Sequence, residues 1–283
     1  MMAILLALGC LICSALNDFL FKLFAGRQGP RGMFITVIGC VWLLALLGMP
    51  VEWERDIGTT VLWGMVSGLF SLTANLLLIE AMRRQSAGVC STIFRLNLVA
   101  VVIGACWLLD ETLTVFQGCG VVFAVAAVCC FLSWGKGGAG RAVWLGFWLV
   151  LVASLLRAGM GLSYKYGFLR GADPNGVVLL NSLFWIAGGI IYSLGRDGAS
   201  GWKPDWRLLG FGVLSGILVT GIVFFMAAAL RCGKASVVLP IAQMSFLGTL
   251  GLSAAILKEK LDWRKCAGIG CGMLAILFLS IEG

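Results

Sequence analysis

Three ionised side chains stand inside long apolar runs of this 283-residue sequence. Arg157 lies near the centre of the run 143–169, and Arg95 near the centre of 86–109. Asp18, with Asn17 beside it, lies below the middle of 2–24. A charge in apolar surroundings is costly unless it is paired or used. Guanidinium groups in such places suit the holding of an anion, and the carboxylate suits the carrying of a proton or the pairing of an arginine. Ser14, Asp18 and Lys22 are spaced i, i+4, i+8 and share one helix face. Arg157, Gly161 and Tyr164/Lys165 form the corresponding stripe on the sixth run. Facing each other, the two stripes would line a central cavity. Lys22 and Lys165 lie nearer the ends, where a lysine can also snorkel to the interface. Asn97 and Gln243 are further binding candidates, and Asn75, Asn181 and Ser245 equally fit hydrogen bonds between helices.

The surroundings that must position these residues are a lipid bilayer. Hydrophobic residues make up 60% of the chain and charged residues 12%, against roughly 25% charged in soluble domains. Ten runs approach the 20 or so residues needed to cross a hydrocarbon core. They are 2–24, 32–50, 58–82, 86–109, 114–134, 143–169, 174–195, 206–230, 235–257 and 263–281. A charge at the centre of such a span costs roughly 2.5–3.5 kcal/mol. The expected fold class is all-α integral membrane, with ten transmembrane helices. The net charge of +8 falls mostly in short loops, where it sets orientation and does not mark a nucleic-acid partner. The eleven cysteines lie nearly all in apolar runs, and there is no histidine. They read as small packing residues, so no metal and no cofactor is expected.

The chain repeats itself. Residues 63–133 align on 211–281 without a gap: Gly64, Ser67 and Gly68 on Gly212, Ser215 and Gly216; Ala81 and Arg83 on Ala229 and Arg231; Glu111 and Leu113 on Glu259 and Leu261; Gly120 on Gly268. Phe21-Lys22 matches Tyr164-Lys165 with a slightly different offset. Five spans per half is an odd number, so the second half would enter the bilayer from the opposite side. The expected organisation is a first five-span repeat at 1–134, a glycine-rich linker at 135–142 and a second repeat at 143–283. The match is broken at Arg95, which aligns with Gln243, and at Arg157, which aligns with Ser14. Those broken matches are where a site is expected. Gly64/Gly68 and Gly212/Gly216 read as close helix crossings. Glu111 and Glu259 read as carboxylates at the start of a helix.

The layout resembles the drug/metabolite transporter superfamily, in its ten-span members with EamA-like domains. The resemblance rests on Glu111-Thr112-Leu113-Thr114 with Gln117 and Gly120, on Glu259-Lys260-Leu261-Asp262 with Gly268, and on the endings Ala81-Met82-Arg83 and Ala229-Leu230-Arg231. The family's early proline in span 4 is replaced by Thr92, while Pro240 supplies it in span 9. The resemblance implies a secondary transporter, not an enzyme, sited in the cell (inner) membrane. Its substrate is expected to be a small organic metabolite, amphipathic or anionic, with an amino acid among the candidates, moved by alternating access between the repeats. A lipid-linked carrier flippase is the alternative, which a lateral opening with basic residues at its mouth would favour. The expected substrate-binding residues are Arg157, Arg95, Asp18, Asn17, Tyr164, Lys22, Lys165, Asn97 and Gln243, with Asp18 as the residue for proton or ion coupling. The partners are the substrate and the lipid bilayer, with the chain a monomer or homodimer.

Loops after odd-numbered spans carry most of the lysines and arginines, among them Arg83, Arg84, Arg196, Lys258 and Lys260. The positive-inside rule then places both termini outside, where family habit places them inside. Cysteine-scanning of the two termini with an impermeant maleimide is expected to label both from the outer face; labelling from the cytoplasmic face alone would reverse this orientation.

Overall fold

A computed structural model describes residues 1–27, 29–48, 56–108, 114–131, 141–197, 206–232, 238, 241–259, 262–279 and 281. Among the described residues there is no strand. The helices are α1 (Met2–Gly26), α2 (Arg31–Leu46), α3 (Ile57–Met82), α4 (Ala87–Arg95), α5 (Asn97–Leu108) and α6 (Val115–Phe131). The second half supplies α7 (Arg141–Leu169), α8 (Pro174–Tyr192) with a π turn at Ser193–Asp197, α9 (Trp206–Cys232), α10 (Ser245–Leu257) and α11 (Trp263–Leu279). Among the described residues, six helical stretches are long and apolar enough to cross a membrane, and α2, α6 and the stretch Ile241–Leu257 are shorter apolar helices. Most of the linker read at 135–142, together with Glu111 and Pro240, lies outside the described residues.

Local chemistry sets several helix ends. Asp56 caps α3: its carboxylate accepts from the backbone N–H of Thr59 at 3.1 Å and from the Thr59 hydroxyl at 2.6 Å. These bonds hold the Asp56 carboxyl below its usual range. Asp173 caps α8 in the same manner, accepting from Gly176 N–H at 2.6 Å with Pro174 at the first helical position.

The fourth apolar run is not one helix. It breaks at Leu96, between α4 and α5, with φ −71° and ψ 2°. The ninth run breaks at Met244, just before α10, with φ −72° and ψ 6°. Leu96 and Met244 are partners in the internal alignment, so the two halves share an interruption at one register. The same four-residue turn closes each: Val99 N–H donates to Leu96 O at 3.0 Å, and Leu247 N–H to Met244 O at 3.0 Å.

The sequence repeats do not pack as separate bodies. α1 packs on α9, and its counterpart α7 packs on α3. α2 packs on α9, and its counterpart α8 on α3; α1 meets α10, and α7 meets α4 and α5. The pairs α2–α8 and α6–α11 exchange into themselves when the halves are swapped. The main interfaces therefore run between halves, and their arrangement is two-fold.

Small residues allow these crossings. A Cβ on Gly64 would come within 2.5 Å of Leu180, and one on Gly68 within 2.8 Å of Phe184, both on α8. Gly212 and Gly216 stand likewise against Val37 and Val41 of α2, at 2.7 and 2.6 Å. The tightest backbone approach joins α2 and α8, where a Cβ on Gly189 would lie 2.7 Å from the carbonyl oxygen of Gly32. Gly189→Ala is expected to lower stability by about 1–3 kcal/mol, read as a fall in Tm in detergent. Gly270→Ala, with open space at the added methyl, is expected to leave Tm unchanged or slightly raised.

Candidate functional site

The polar residues converge on the helix breaks. Asp18 is buried in α1, and its carboxylate accepts from the guanidinium of Arg95 at 3.1 Å. Asn17, also buried, accepts from the Ser215 hydroxyl of α9 at 2.5 Å. Thr249 of α10 donates to the Ala15 carbonyl at 3.3 Å. α1 is thus held by polar contacts to the broken helix of its own half and to two helices of the other.

Arg157 is different. Its guanidinium carbon lies 5.9 Å from the ring centroid of Phe94, and one nitrogen lies 3.6 Å from the Met160 sulfur. Among the described residues no carboxylate pairs with it. Arg95, Asp18 and Tyr164 all stand close enough to interact with its charge. Tyr164 accepts at its hydroxyl from the Asn181 side-chain amide, and Asn181 in turn accepts from Ser67 at 2.9 Å. That chain ties α7, α8 and α3 together beside the arginine.

Hydrogen-bonding capacity is left over at the two breaks. Arg95 Nε, Gln243 Oε1 and Ser245 Oγ are buried and have no partner among the described residues. Arg95 ends α4 immediately before one break, while Gln243 and Ser245 flank the other. Asn97, partly buried, opens α5 on the far side of the first. A half-helix beginning inside the bilayer also presents its positive dipole end there. Unwound backbone at matching positions of two halves is the arrangement in which transporters seat a substrate.

The lysines of the predicted set lie elsewhere. Lys22 donates to the carbonyls of Met82 and Gln85 at 2.8 and 2.7 Å and lies 3.4 Å from Glu259. Glu259 accepts from the Ala87 N–H at 3.1 Å. It therefore caps α4 of the opposite half rather than the helix that follows it. Together they join the C-terminal part of α1 to the α3–α4 turn and to the residues just after α10. Lys165 is exposed on α7, apart from the cluster. Glu80 pairs with Arg84 and, from α2, with Arg31. Trp185 is core: it is buried, donates to Ser71 at 3.1 Å and packs edge-on to Trp42. Phe94 and Met160 touch Arg157, and Ser215 bonds Asn17; these contacts are not legible in the sequence, because an apolar or hydroxyl side chain inside an apolar run carries no signal of its own.

Removing one member of a buried ion pair costs about 3–5 kcal/mol, because the other charge is stranded. Asp18→Asn is expected to destabilise by that amount. The double variant Asp18→Asn/Arg95→Gln is expected to recover most of the loss. Thermal unfolding of the three variants in detergent checks this, and a double variant no more stable than the single would deny the pairing.

The sequence pattern of the EamA-like transporter family matches residues 1–133 and again residues 144–281. No curated protein matches the chain. A solved crystal structure is similar over 98% of this chain and 95% of its own, with a TM-score of 0.65 at 16% identity, which shows a shared fold. A two-fold family match spanning nearly the whole chain, on a helical bundle interrupted at the same register in both halves, makes this a multi-pass membrane protein of the EamA-like transporter family, within the drug/metabolite transporter superfamily.

Proposed function

We propose that the protein is a secondary transporter of a small anionic or amphipathic organic metabolite, bound at the paired breaks of its fourth and ninth spans. The observation that carries this reading is the unspent polar capacity there: among the described residues, a guanidinium on Arg157 without a carboxylate, and Arg95 Nε, Gln243 Oε1 and Ser245 Oγ without a partner. Buried polar atoms are normally satisfied. A carboxylate or similar anion with a neighbouring donor, as in an amino acid, would satisfy both the arginines and the glutamine oxygen. Asp18, paired to Arg95, is the group through which a proton or cation would be coupled: loading Asp18 releases Arg95 to the substrate.

Ten spans in two inverted repeats fit this reading, with the loops after odd-numbered spans in the cytoplasm. The moving bodies are not the two sequence halves, since rocking one on the other would shear nearly every main interface. The groups α1–α2–α9 and α7–α8–α3 are better bodies, because each is internally packed and exchange of the halves converts one into the other. The Lys22–Glu259 contact ties α1 to the residues just after α10 in this state. A flippase of lipid-linked carriers would want basic residues at the mouth of a lateral opening, whereas Arg95 and Arg157 lie deep.

A thermal-shift screen of metabolites is expected to select anionic solutes. In proteoliposomes, uptake of the best of these is expected to fall at least about tenfold in Arg157→Gln, which is about 1.4 kcal/mol of lost recognition. Uptake at the native rate in that variant would remove Arg157 from the site.

A further inference from the structure

A second feature meets the first break from the bilayer side. A cavity of about 260 Å³ lies between α4/α5, α6 and α7. Ile103, Val125, Leu155 and Cys129 line it and are exposed, while Ile93, Leu96, Ala124 and Ser154 line it and are buried. The cavity is therefore a crevice that runs from the lipid face inward. Its buried end includes Leu96, the residue at the helix break, and Ser154, one turn along α7 from Arg157. Its walls are otherwise aliphatic. In the other half Gly248 stands where Ala100 lines the crevice, and a Cβ on Gly248 would lie 2.7 Å from that of Ala15.

We infer that this crevice seats the apolar chain of a single-chain amphipathic anion whose charged head lies at Arg157 and Arg95, so that the substrate reaches the site sideways from the membrane. The inference deepens the transport reading and rests on it. Charge complementarity identifies the occupant: an apolar slot whose buried end is lined by Leu96, next in sequence to Arg95, and by Ser154, one turn from Arg157, matches a molecule with one apolar chain and one anionic end. Size agrees. Sites for whole ligands span roughly 300–1,000 Å³, and this slot is smaller, fitting part of a molecule. A neutral lipid tail would gain nothing from the arginines.

Cys129, native to the crevice wall, gives the test. The purified protein is alkylated with an apolar maleimide, and each cysteine is followed by peptide mass spectrometry in the presence of acetate, decanoate or 1-decanol. Decanoate is expected to slow alkylation of Cys129 about tenfold, with acetate and decanol far weaker. Cys266, on α11 and away from the crevice, is expected to react at an unchanged rate. Ala100→Trp fills the slot and is expected to abolish protection; Val125→Trp, at the exposed mouth, does the same should the first variant unfold, as a rise in Cys266 reactivity would reveal. Equal protection by decanol and decanoate, or by acetate and decanoate, would overturn the inference. Decanoate protection together with native uptake in Arg157→Gln would keep the crevice and discard the arginine site. Lost uptake in Arg157→Gln without any chain-length dependence at Cys129 would do the reverse.

Discussion

A polar group in hydrocarbon has only other protein groups to bond with, and the arrangement around Asp18 follows from that. Arg95 interrupts an apolar span at a place where the backbone also unwinds, so two liabilities meet at one level of the bilayer. Asp18 answers the charge, and α1 is anchored to do so through Asn17 and Ser215 on one flank and Ala15 and Thr249 on the other. Once α1 is fixed, the positions of α9 and α10 are fixed with it. The polar cluster at the breaks thus follows from satisfying one buried ion pair, together with a remainder that no described residue satisfies.

The small-residue seams do the complementary work. Lipid tails are as apolar as leucine, so helices in a membrane gain by close approach rather than by burial. Gly64, Gly68, Gly212 and Gly216 let α3 and α9 lie against α8 and α2, and the same spacing in both halves gives both crossings the same geometry. These contacts join residues far apart in sequence. The repeat visible in the chain is a unit of chemistry and inheritance, not a unit of packing.

How much could be read from the residues alone depended on the kind of signal each one carries. Charges in apolar runs announce themselves, and Asp18, Arg95 and Arg157 are brought together as their rarity implied. The glycine pairs were equally readable, since spacing alone states a close crossing. The breaks at Leu96 and Met244 were not readable, because neither a proline in the described turn nor a glycine marks them, and leucine and methionine are good helix formers. Their partnership becomes visible only when the fold is laid on the repeat. Glu259 shows another limit. Its placement before α11 suggested a cap for that helix, yet the carboxylate reaches across to Ala87 of α4, a choice that only the tertiary structure decides.

The interleaving of the halves also bears on the chain's birth. A nascent first half enters the membrane with its glycine seams turned toward lipid, since the helices that will fill them, α7, α8 and α9, are not yet made. Asp18 and Arg95 both belong to that first half. Their charges can neutralise each other while the ribosome is still translating the remainder, so the costliest polar groups are sheltered early. Arg157 arrives later, into a bundle where the Phe94 ring already waits and the carboxylate of Asp18 is already taken by Arg95. Order of synthesis and order of electrostatic need therefore coincide.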